Sequence, residues 1–93
     1  MNKHAQIICN IDKIGEIQEV KKLKGKSIYK KALIVSFEDG STMYPEVRNK
    51  FITIFDEHNL EEGETVILDL MFEGSEKKGI RYNNINIVGV KRL

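Results

Sequence analysis

From Thr65 to Phe72 the chain alternates strictly. Val66, Leu68, Leu70 and Phe72 share one parity, and Thr65, Ile67, Asp69 and Met71 share the other. A period of two marks a strand with one buried face. Ile28–Phe37 repeats the pattern with Leu33, Val35 and Phe37. Gly15–Val20 reads as an earlier strand carrying Ile17 and Val20. Upstream, Ile7, Ile8, Ile11 and Ile14 extend that strand or form a short helical turn, and periodicity leaves both open. Glu38-Asp39-Gly40-Ser41 predicts a tight hairpin with a two-residue Asp-Gly turn. Thr42–Val47 follows as a third strand. Pro45 donates no ladder hydrogen bond, so an edge or a bulge is expected there. Asn49 is a candidate cap for a helix over Lys50–His58, with Phe51, Ile54 and Phe55 on one face. Leu60–Glu64 is a turn, Glu73–Gly79 a polar loop, and Ile80–Val90 the last strand.

The resulting order, β-β-β-α-β-β with short strands, predicts an all-β domain with one short helix. It fits a five-stranded Greek-key barrel of the OB-fold type, with the helix between strands three and four. A split sheet with the helix on one face is the alternative. Val66, Leu68, Leu70, Phe72, Ile85 and Ile87 are the expected interior, with Phe51 and Phe55 plugging one end. Residues 15–93 form the expected barrel domain, and residues 1–14 an N-terminal extension or an extension of the first strand. An edge at Pro45, and a segment Gln6–Asp12 able to add a strand to a neighbour, point to a homodimer.

Ninety-three residues make one domain. Apolar runs such as Ala32–Val35 and Val66–Leu68 fall far short of the ~20 residues that span a bilayer. No signal-peptide core follows Met1, and Cys9 is the only cysteine. These features predict a cytoplasmic protein without disulfides or membrane contact. Net charge is only +1, yet its distribution is uneven. Lys21, Lys22, Lys24, Lys26, Lys30 and Lys31 crowd together, and Lys77, Lys78 and Arg81 form a second group. An acidic stretch, Asp56 to Glu64, lies between them.

Catalytic signatures are missing. Cys9 has no motif around it and reads as a small buried hydrophobe. Asp56, His58, Glu61 and Glu62 lack metal-ligand spacing and read as a solvated helix end. Gly74 and Gly79 have P-loop spacing but lack the Lys-Ser/Thr pair and join two strands. Neither an enzyme nor a cofactor is expected.

In an OB fold, oligonucleotides bind the face around strands two and three, between the one-two and four-five loops. Here those loops are residues 21–27 and 73–79, both lysine-rich. Lysines follow a phosphate backbone by charge, and tyrosine faces stack on bases. The candidate nucleic-acid-binding residues are therefore Lys24, Lys26, Tyr29, Lys31, Tyr44, Lys77, Lys78, Arg81 and Tyr82. The expected partner is single-stranded DNA or RNA. The bland alternative is a solvated fringe of lysines with half-buried tyrosines. A second functional alternative is a protein-interaction module using a barrel face or sheet edge. One parity conflict stands: if Leu33, Val35 and Phe37 face inward, Tyr29 and Lys31 share their side unless a bulge intervenes.

Four stretches carry a resemblance over Gly15 to Val90. They are Tyr29-Lys30-Lys31, the Leu-x-x-Gly-Glu-x-Val run from Leu60 to Val66, Phe72 to Gly79, and Arg81-Tyr82-Asn83-Asn84-Ile85-Asn86-Ile87. In these the chain resembles a family of short bacterial proteins of unknown function with a predicted OB fold. That family is related in shape to single-stranded-DNA-binding proteins and primosomal protein B. The resemblance implies the same barrel and a nucleic-acid partner. Its members often carry tryptophan where this chain has Tyr29, Arg81 and Val88, and this chain has none.

Overall fold

A computed structural model describes residues 3–21 and 25–93. Six strands and one helix follow in order: β1 Lys3–Lys21, β2 Ser27–Ser36, β3 Thr42–Met43, β4 Glu46–Arg48, α1 Lys50–Asp56, β5 Thr65–Lys77 and β6 Ile80–Arg92. The first half of β1 pairs antiparallel with β5, Lys3 opposite Phe72 through Asn10 opposite Thr65. The second half leaves β5 and pairs with β2, ending at Lys21 opposite Ser27. β2 pairs with β4, β5 with β6, and a parallel bridge between Glu46 and Asn86 joins β4 to β6. The circuit β1-β5-β6-β4-β2-β1 is closed. With the helix between the third and fourth barrel strands, this is the OB fold.

One strand serves two partners because β1 bends. Its register against β2 shifts between Ile11 and Lys13 and again between Ile14 and Ile17. Such bulges sharpen the local twist that closes a small barrel. Gly15 lies inside the second shift. A Cβ added there would meet the Ala32 carbonyl oxygen at 2.7 Å, so the strands approach this closely only with glycine present. Residues 3–14 are the opening of β1, with Cys9 and Ile11 in the core. Gln6 to Asn10 is paired to β5 within the same barrel.

The interior is Cys9, Ile11, Leu33, Val35, Val47, Val66, Leu68, Leu70 and Ile87, all at most 2% exposed. Phe72 and Ile85 pack against it from positions that are only partly buried. Burial pushes the Cys9 thiol up to about 11, and nearby Asp12 adds to the shift. It is an unreactive core thiol.

The helix differs from expectation in three respects. It ends at Asp56 rather than His58, because the chain turns into a left-handed residue at Asn59 (φ 48°). Its buried face is Ile52 and Phe55, with Phe51 half-buried and Ile54 exposed. Asn49 makes no side-chain cap. Its backbone N–H donates to the Tyr29 carbonyl (2.9 Å), and its Oδ1 accepts from the Tyr29 N–H (3.1 Å). The residue ties the helix to β2 instead.

Two turns also depart from expectation. The first hairpin has a three-residue loop. Phe37 N–H bonds the Ser41 carbonyl, Gly40 N–H bonds the Phe37 carbonyl, and only Gly40 has positive φ, at 86°. That is the three-residue hairpin with glycine at the left-handed position. The expected polar loop 73–79 is strand. β5 and β6 stay paired through Lys77 opposite Ile80, joined by Lys78 (φ 52°) and Gly79 (φ 78°). Two successive positive φ values make the tight turn that matches strand twist. Pro45, buried in the barrel wall, splits the expected third strand into β3 and β4. Its carbonyl accepts from Leu33 N–H (2.9 Å). β4 lies between β2 and β6, so only the two-residue β3 stands at the sheet edge.

Candidate nucleic-acid interface

Two hairpin arms extend from the barrel: the end of β1 with the start of β2, and the end of β5 with the start of β6. Between them runs an open groove of about 1070 Å³. Val20, Lys21, Lys26, Ile28 and Lys30 line it from the first arm. Glu73, Gly74, Ser75, Lys77, Tyr82 and Asn84 line it from the second, and Arg48 of β4 lies between.

Alternation decides which side chains reach this groove. On β2, Leu33 and Val35 face the core, so Ile28 and Lys30 face outward into the groove. Tyr29 and Lys31 carry the opposite parity, beyond the end of the packed interior. Lys31 Nζ donates to Asp56 Oδ1 of α1 (2.8 Å), and the Tyr29 hydroxyl lies 3.4 Å from Glu19 Oε2. The parity conflict is resolved there: both residues share the inward side but serve the barrel end rather than the groove.

Among the candidate residues, the groove brings together Lys26, Lys77 and Tyr82. Lys78 and Arg81 are exposed at the tip of the second arm, where Arg81 Nε lies 3.7 Å from Glu76 Oε2. Tyr44 stands between β3 and β4, 66% exposed, with its hydroxyl 3.3 Å from Thr42 Oγ1. Lys24 lies outside the described residues.

Lys21, Lys30 and Arg48 join the groove without having been singled out as site residues. Lys30 and Arg48 are cross-strand partners, and both meet Glu46, at 3.5 and 3.1 Å. Among the described residues, five cationic side chains thus line a groove with one lining carboxylate, Glu73. The groove is locally positive although the chain is nearly neutral. Val20 and Ile28 add apolar surface, and Tyr82, 46% exposed, adds an aromatic face.

Two single-stranded-DNA-binding proteins of solved structure are similar to the chain, and the first shares its fold. A mitochondrial one from S. cerevisiae superposes with a TM-score of 0.58 at 14% identity, over 98% of this chain and 95% of that one. A small one from Streptomyces coelicolor gives 0.48 at 12% identity, over 98% and 94%. No family model and no curated protein matches the sequence, so the kinship with a bacterial family and with primosomal protein B has no support beyond the barrel. Among the described residues, no cluster of His, Cys, Asp or Glu is arranged to hold a metal ion. No described helix is long and apolar enough to cross a membrane.

Proposed function

We propose that this domain is a non-enzymatic binder of single-stranded nucleic acid and that the strand lies in the groove between the two arms. The carrying observation is the convergence of Lys21, Lys26, Lys30, Arg48 and Lys77 around Tyr82. Cations spaced along an open groove follow a phosphate backbone, while an aromatic face accepts any base. A shared barrel with single-stranded-DNA-binding proteins supports the same reading. Glu46 holds Lys30 and Arg48 in place and also competes with phosphate for them, so modest affinity is expected.

Fluorescence anisotropy with a labelled thymidine 20-mer at several salt concentrations tests this. Affinity falls steeply with salt if phosphates displace counterions. Replacing Lys21, Lys26 and Lys77 by Gln lowers the log–log salt slope by about 2, at ~0.7 per lost phosphate contact on single strands. Reversing the same three to Glu abolishes binding while stability changes by less than about 0.5 kcal/mol, because all three are exposed. Undiminished binding by the reversed variant refutes the groove. Salt-independent association with a protein instead favours the interaction-module alternative.

A further inference from the structure

A second cavity adjoins the groove. It encloses about 370 Å³, within the range of small-ligand sites, and it shares Arg48 and Glu73 with the groove. Phe51, Met71, Ile87 and Val88 contribute to its lining. Asn86 lines it as well and is only 6% exposed. The Asn86 Nδ2 donates to Glu73 Oε1 (2.9 Å), which fixes the orientation of the amide. The other end, Oδ1, is buried and has no hydrogen-bond partner among the described residues. A buried acceptor left unpaired is costly and calls for an explanation, a bound group being one.

We propose that this cavity receives one base of the bound strand and prefers guanine. The inference rests on the groove reading, because the base arrives on a strand lying there. Asn86 and Glu73, hydrogen-bonded neighbours in the cavity lining, carry an amide oxygen and a carboxylate, both acceptors. Guanine presents two adjacent donors on its Watson–Crick edge, N1–H and N2–H₂. Cytosine and adenine present one donor beside an acceptor, and thymine one donor between acceptors. Only guanine answers two neighbouring acceptors without leaving one facing a lone pair. Phe51, half-buried in the same lining, supplies an aromatic surface for the inserted ring, and the base reaches the buried Oδ1 as the lining side chains shift.

The test compares a thymidine 20-mer with the same oligomer carrying single guanines, and with inosine in their place. Inosine lacks the N2 amine. The parent protein binds the guanine strand roughly 5- to 150-fold more tightly than the all-thymidine strand, the range for one well-made base contact. Inosine loses most of that gain. Asn86→Leu binds the all-thymidine strand as the parent does and loses the guanine preference. Should that variant fail to fold, the parent decides alone: deoxyguanosine monophosphate shifts the Asn86 side-chain amide resonances and thymidine monophosphate does not. Equal binding of all strands, or equal nucleotide shifts, overturns the base site and leaves the groove standing. No binding of any strand overturns both.

Discussion

The two ends of β5 obey the same backbone rule and opposite side-chain rules. Val66, Leu68 and Leu70 are fully buried, whereas every residue from Gly74 to Lys77 is exposed. Yet the ladder to β6 runs on from Leu70 opposite Ile87 to Lys77 opposite Ile80. β1 behaves alike, with Cys9 and Ile11 in the core and Ile17 to Lys21 exposed while still paired to β2. Hydrogen bonding carries the strands past the point where burial stops. In the barrel, side chains are held to volume and shape. In the arms they are released from packing, and there they carry charge, Lys21 and Lys77 among them. Segments with exposed hydrogen bonds and little burial open at lower free energy than the core. Stability and binding are therefore expected to separate along a single strand.

The largest effect should come from the barrel. Leu68→Ala removes a fully buried side chain and costs about 2–5 kcal/mol in denaturant unfolding. A loss under 1 kcal/mol would show that the barrel interior tolerates gaps as readily as the arms do. Tyr82→Ala probes the arm. It weakens binding of the thymidine 20-mer by roughly 1–3 kcal/mol if a base stacks there. The unfolding midpoint hardly moves, since Tyr82 is half exposed and lies opposite Ser75 outside the core. A drop in stability with unchanged affinity would reverse the division of labour.

The barrel was legible where burial imposed a period. Val66 to Phe72 alternates because one face of β5 meets the core, and the inward parity of Leu33 and Val35 follows for the same reason. The groove was less legible because its membership depends on register. A two-residue Asp39-Gly40 turn sets Lys31 opposite Arg48. The three-residue turn actually formed sets Lys30 opposite Arg48 instead, on the outer face. A slip of one residue exchanges the faces of a strand. The signal was present in the turn, since Ser41 N–H and Oγ both bond Asp39 Oδ1 (2.9 and 2.6 Å) and close a local loop. Lys31 and Tyr29 carried the right chemistry on the wrong parity. The extent of the second arm was hidden too. Glu73 to Gly79 is polar, and polar sequence reads as loop when the strand it forms has no buried face.

The smallest effect concerns the clip at the closed end of the barrel, the end opposite the arms, where β5 begins and β6 finishes. Glu64 accepts from Arg92 Nε (3.0 Å) and from the Glu61 N–H (2.7 Å), and Arg92 Nη2 also donates to the Asn59 carbonyl (3.2 Å). The Arg92 hydrogen bond first, and the Glu61 N–H next, hold the Glu64 carboxyl below its ordinary 4.5. A folded value below the unfolded one means that folding favours the ionised form. The contribution is complete above pH 4.5 and fades as pH falls through the folded value. Glu64→Gln therefore lowers the melting temperature slightly at neutral pH, and the gap to the parent closes below pH 4.5. The clip lies outside the groove lining, so the variant binds the thymidine 20-mer at pH 7 as tightly as the parent. A gap that persists undiminished in acid assigns the stabilisation to packing rather than to the ionised pair. A loss of affinity at neutral pH shows instead that the closed end and the arms are coupled.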